Sequence, residues 1–90
     1  MGITAYTVDR DWALTARYTA SGQTDIRITN PTGGDNVSLR WVNTMSDDLP
    51  TVSPDICAEV KNGEHDSITL NDGERLWFAA NGSFDISVID

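Results

Sequence analysis

Apolar and polar residues alternate with a period of two along most of this chain, and no window long enough for a helix keeps a 3.6-residue period. The segment "ITAYTV" (3–8) reads as a first strand. In "WALTARYT" (12–19) the alternation puts Trp12, Leu14, Ala16 and Tyr18 on one face and Ala13, Thr15 and Arg17 on the other. "TDIRIT" (24–29) turns Ile26 and Ile28 inward. "NVSLRWV" (36–42) turns Val37, Leu39 and Trp41 inward and Ser38 and Arg40 outward. Between these two runs, "NPTGGD" carries Pro31, Gly33 and Gly34, which end one strand and release the next, so a hairpin with a longer loop is expected. Residues 43–55, "NTMSDDLPTVSPD", form the longest loop, and they predict either a binding loop or a crossover between two sheets.

Downstream, "DICAEVK", "EHDSITL", "ERLWFAA" and "SFDISVID" are separated by Asn62 and Gly63, by Asn71, Asp72 and Gly73, and by Asn81 and Gly82. Asn-Gly pairs tolerate the positive φ that tight reversals need, so three successive hairpins, a C-terminal meander, are expected. The total is seven to eight strands in one domain over residues 1–90, and the fold class is all-β, a small antiparallel β-sandwich or barrel.

One position resists the pattern. In "ERLWFAA", Leu76, Phe78 and Ala80 claim one face, and Trp77 falls on the other with Arg75. Either the strand is covered on both faces, a bulge re-aims a side chain, or one apolar set is exposed. Tryptophan and arginine are enriched at binding hot spots, so Trp77 and Arg75 are expected at an interface with a partner, with burial of Trp77 under a neighbouring loop the alternative.

Composition narrows the function. A domain of 90 residues buries roughly 60% of its unfolded surface and gains from partner subunits. The one cysteine, Cys57, makes no internal disulfide. The N-terminal segment has neither a basic region nor a long apolar run, and Tyr6 stands where myristoylation wants Ser or Thr, so neither export, membrane insertion nor lipidation is expected. Fourteen acidic against six basic residues give a net charge of −8, which repels phosphate backbones and anionic lipids. Nucleic acid and membrane are therefore not expected partners. The acidity fits solubility or a partner with a basic surface.

Catalytic and metal-binding patterns are missing. Cys57 and His65 have no second Cys or His to complete a zinc site. A Cys–His pair across the turn at Asn62 and Gly63 is conceivable, but a solvated His65 and a small apolar Cys57 are the expected roles. Asp47 and Asp48 are adjacent in a proline-containing loop without a rigid shared target. "NDGE" (71–74) lacks the spacing of a calcium loop and reads as turn chemistry. The expectation is a non-enzyme without a cofactor.

A strand ending in "RW", a loop with Pro and Ser, and then "ITLNDGERLWFAANGSFDISV" resemble the pattern of small bacteriophage virion proteins over residues 36–89. The chain departs from that pattern at "LNDGE", where Ala or Pro often precedes Gly-Glu, and in its longer acidic loop. The resemblance implies a capsid decoration (cement) protein or another minor head protein, located in the virion after assembly in the host cytoplasm. Its partners would be the major capsid protein or other virion subunits, and it would itself be a homo-oligomer, a trimer at local three-fold axes. It also implies that Trp77 and Arg75 touch another subunit. The competing reading is a carbohydrate- or receptor-binding sandwich, including a fibre component, with Trp77 and Trp12 stacking on sugar rings beside Asp47 and Asp48. The expected partner-binding set is therefore Trp77, Arg75, Asp47, Asp48 and Trp12.

Overall fold

A computed structural model describes residues 2–30, 38–61, 63–80 and 84–89. Its strands are β1 (Ile3–Val8), β2 (Arg17–Thr19), β3 (Thr24–Thr29), β4 (Leu39–Thr44), β5 (Ala58–Val60), β6 (His65–Leu70), β7 (Arg75–Ala80) and β8 (Phe84–Ile89), with one 3₁₀ turn at Pro54–Ile56. They form two four-stranded antiparallel sheets, in the orders β1-β8-β3-β6 and β2-β7-β4-β5. This is the expected all-β sandwich, and it is not a closed barrel.

The pairs β1–β8, β2–β7, β3–β6 and β4–β5 describe one long hairpin, with the first four strands running back along the last four. The hairpin is wound so that its halves alternate between sheets, and β3–β8 and β4–β7 complete each sheet. This winding is that of an eight-stranded jelly roll.

It corrects two expectations. No C-terminal meander exists, because β5 and β7 belong to one sheet while β6 and β8 belong to the other. Nor do β3 and β4 form a hairpin, since they too lie in different sheets. A turn residue dictates that the chain reverses, and here the reversals carry it across the core instead of back along its neighbour. Gly73 takes the positive φ of 81° expected of its turn, yet it joins β6 of one sheet to β7 of the other. Pro31, Gly33, Gly34, Val37, Asn62, Asn81 and Gly82 lie outside the described residues.

Inward phases of the two sheets make the main core. Val8, Ile26, Ile28, Leu70, Ile86 and Val88 face Leu39, Val60, Leu76, Phe78 and Ala80, and the Tyr6 and Phe78 rings meet at 5.3 Å between centroids. Trp41 packs at the margin and donates its indole N–H to Asp66 across the sandwich at 2.9 Å. "WALTARYT" is not one strand. A turn in which Ala16 N–H donates to Ala13 C=O interrupts it, so Ala16 enters the core while Leu14, expected inward, is 62% exposed at the bend.

Among the described residues two polar ones are buried, Asn30 and Glu74, and both are occupied. Asn30 uses its backbone with Glu64 and Gly63 and its side-chain amide N–H with Val60 C=O at 2.8 Å, which ties the end of β3 to the β5–β6 connection. Glu74 accepts from Asn71 N–H at 2.8 Å and from the Asn43 amide. These hydrogen bonds, the Asn71 one foremost, hold its carboxyl below the ordinary value. The "NDGE" segment thus has its Glu committed to closing the turn.

Candidate functional site

The outer faces of the two sheets differ. On the β2-β7-β4-β5 sheet, Arg75, Trp77 and Ala79 point away from the main core, as the alternation requires, and the chain's own loops cover them. Trp12, Trp77 and Ala79 form a second buried cluster against which Val42, Val52 and Cys57 pack. Trp77 is 0% exposed and Trp12 8%. The expectation that these tryptophans present an open surface is therefore corrected in favour of the alternative, a strand covered on both faces. The 43–55 loop supplies much of the cover. Because it joins β4 to its sheet neighbour β5, it is not a crossover between sheets either.

Polar contacts hold this lid in place. The Trp77 indole N–H donates to Thr44 Oγ1 at 2.9 Å, and that of Trp12 to Val52 C=O at 2.8 Å. Arg17 lies over the Trp77 ring, 5.3 Å from its centroid. Asp47 Oδ1 accepts from Arg17 at 3.2 Å and from Arg75 at 3.0 Å, and Arg75 also donates to the carbonyls of Met45 and Gly73. Of the expected site residues, the fold brings together Trp77, Arg75 and Asp47. It sets Trp12 at the far side of the same buried cluster and leaves Asp48 exposed, its backbone N–H held by Ser46 Oγ. Arg17, at the edge of this group, was missed because its strand phase alone does not show that it meets Trp77 across the β2–β7 pairing.

Asp47 is exposed, so its two ion pairs are worth little to stability. Asp47→Ala is expected to cost no more than about 1 kcal/mol of unfolding free energy while speeding amide hydrogen exchange across 45–57. A loss above about 2 kcal/mol in a denaturant titration would instead make the carboxylate integral to the packing.

Among the described residues, none forms such a lid over the outer face of the β1-β8-β3-β6 sheet. The strand register places Ile3, Ala5 and Thr7 beside Ser87 and Ile89, then Asp25, Arg27 and Thr29, then His65, Ser67 and Thr69. Ile3 is 71% exposed. A depression of about 450 Å³ is lined by Asp25, Ile26, Arg27, Ser67, Ile68, Thr69 and Ile89. Small residues (Ala5, Thr7, Ser67, Thr69, Ser87) alternate there with Ile3, Ile89, Asp25, Arg27 and His65. Alternation marks these positions as outward, but does not show that, among the described residues, nothing covers this face.

Cys57 packs at the covered face of one sheet and His65 stands on the outer face of the other, so the two are not cross-strand neighbours. Burial pushes the Cys57 thiol up, against the opposing pull of Arg40. Among the described residues no three of His, Cys, Asp and Glu are placed to share a metal ion. A second cleft, polar and about 530 Å³, lies among Arg10, Asp11, Ser38, Arg40, Ser53, Pro54, Asp55 and Ala80. Sugar stacking on Trp77 and Trp12 has no platform, since both indoles are buried. Comparison with protein-family models, curated proteins and solved structures finds no match for this chain.

Proposed function

We propose that this chain is a non-enzymatic structural protein that docks on an assembled protein lattice, the role the resemblance to capsid decoration proteins implies, but through the uncovered face of its β1-β8-β3-β6 sheet in place of Trp77 and Arg75. The observation that carries this reading is the asymmetry of the sandwich. One sheet has its outer face covered by the chain's own loops, and among the described residues the outer face of the other stays uncovered, with a depression beside Arg27, Ser67 and Ile89 and an exposed Ile3. Four strands spaced about 4.8 Å apart and about 20 Å long give roughly 400 Å² of face. That is about half of what each partner contributes to a standard interface of roughly 1,600 Å². A single copy therefore binds weakly, and a repeating lattice with many identical sites is the partner such a face suits. Each bound copy stabilises only the assembled form, by mass action, and the effect accumulates over the shell.

The test is cosedimentation with empty phage heads assembled from a major capsid protein. Retention on the heads, lost on Ser67→Arg but kept on Asp48→Ala, supports the reading. Failure to sediment with heads, or retention that ignores Ser67→Arg, overturns it. Binding to glycans on an array instead would favour the carbohydrate reading, seated in the polar cleft.

A further inference from the structure

Large apolar side chains standing singly on a surface are ordinary, whereas grouped ones mark an interaction site. Among the described residues five such side chains are exposed, and four of them, Leu14, Met45, Leu49 and Ile56, come from the bend before β2 and the connection between β4 and β5, the two segments that cover the outer face of the β2-β7-β4-β5 sheet. Two hydrogen bonds bring these segments side by side. The Trp12 indole N–H donates to Val52 C=O at 2.8 Å, and the Arg17 guanidinium donates to Asp47 Oδ1 at 3.2 Å. Residues 12–17 and 47–52 therefore run antiparallel between these two clips. Each stretch carries one leucine inside the interval, Leu14 at 62% and Leu49 at 50% exposure, and Met45, also exposed, stands just before the Asp47 clip.

We infer that this leucine pair is a docking surface for an amphipathic segment of a partner protein, one whose apolar side chains are bordered by Lys or Arg. Charge complementarity selects that occupant. Asp11 precedes Trp12 and Asp48 precedes Leu49, so a carboxylate borders each stretch, and neither enters an ion pair among the described residues. Arg17, the one cation in 11–17 and 47–52, is committed to Asp47 and lies over the Trp77 ring. With −8 on the whole chain, a basic partner is drawn in, and an acidic one, a second copy included, is held off. Apolar contact with the leucines then retains what the charges have oriented. Trp12 and Val52, at one end of the two stretches, pack into the buried cluster with Trp77, which fixes the patch before a partner arrives and lowers the ordering cost of binding. The surface lies on the opposite side of the sandwich from the uncovered sheet face, so it does not depend on lattice docking.

The probe is a synthetic amphipathic peptide whose leucine face is bordered by lysines, titrated into the full isotope-labelled chain. Saturable binding is expected, with amide shifts centred on residues 11–17 and 45–52. Leu14→Ser and Leu49→Ser should each weaken it about tenfold with unchanged circular dichroism, since both side chains are exposed, whereas Ser67→Arg on the other sheet should leave it as it is. The same peptide with Glu in place of Lys, or with Ser in place of Leu, should not bind. Absence of saturable binding, shifts centred elsewhere, an affinity untouched by both leucine variants, or equal binding of either control peptide would each overturn the inference. If a serine variant loses its fold, the wild-type shift map and the control peptides decide.

Discussion

Trp77→Ala is expected to cost the isolated domain about 3–5 kcal/mol of unfolding free energy, the range for removing a large aromatic from a packed interior. The indole is fully enclosed by Trp12, Ala79, Val42, Val52 and Cys57, with its N–H on Thr44. Truncation therefore leaves a cavity, frees a hydroxyl partner and removes the ring beneath Arg17. A domain of this size holds about 5–13 kcal/mol in all, so the variant is marginal and its urea midpoint falls steeply. Trp41→Ala should cost less, because Trp41 is only partly buried at the margin of the sandwich. This order reverses what alternation alone suggests, with Trp41 inward and Trp77 outward. A Trp77→Ala protein as stable as wild type would mean that the lid opens in solution, and the covered cluster would revert to a candidate binding surface.

Asn30→Asp is the second large effect. The two side chains have nearly the same shape, but a carboxylate has no proton to give Val60 C=O, and the site is 1% exposed. A buried charge facing a carbonyl oxygen is expected to cost about 3 kcal/mol or more near neutral pH. Protonation restores a donor, so the introduced carboxyl has a folded pKa raised above its unfolded value of about 3.9. Its neutral form therefore supports the fold fully below the unfolded pKa, and that support is lost as pH rises through the folded pKa. The gap between variant and wild type in paired denaturant titrations should narrow from pH 7 toward pH 4. A gap below about 1 kcal/mol, or one that ignores pH, would show that the amide contributes nothing essential.

These two residues illustrate what the sequence reveals. Strand positions and phases come from local alternation, which is why Leu76, Phe78, Ile26 and Ile28 are where the pattern places them, and why Trp77 shares a face with Arg75 and Ala79. Strand partners do not come from local pattern. β6 and β7 are joined by a turn at Asn71, Asp72 and Gly73 that looks like a hairpin, yet hydrogen bonding sends β6 to β3 and β7 to β2 and β4. Whether an outward tryptophan is bare or covered depends on where a distant loop lands. Residues 43–55 contain the covering Val52 and the anchoring Asp47, but nothing in their spacing says that they fold over β7. The open outer face of the other sheet is illegible for the same reason, since whether the described loops cover it depends on where they land.

The pairing of first strand with last also governs how the molecule comes into being. Ile3 lies opposite Ile89, so as the polypeptide leaves the ribosome β1 must wait for nearly all of these residues before its neighbour exists. Only β4 and β5 can associate early, the innermost rung of the long hairpin, with the remaining rungs added outward from it. High contact order of this kind predicts slow folding relative to helical domains of equal length, and an uncharged β1 is in reach of other nascent chains throughout that interval. During synthesis β1 is thus the segment most in need of a chaperone.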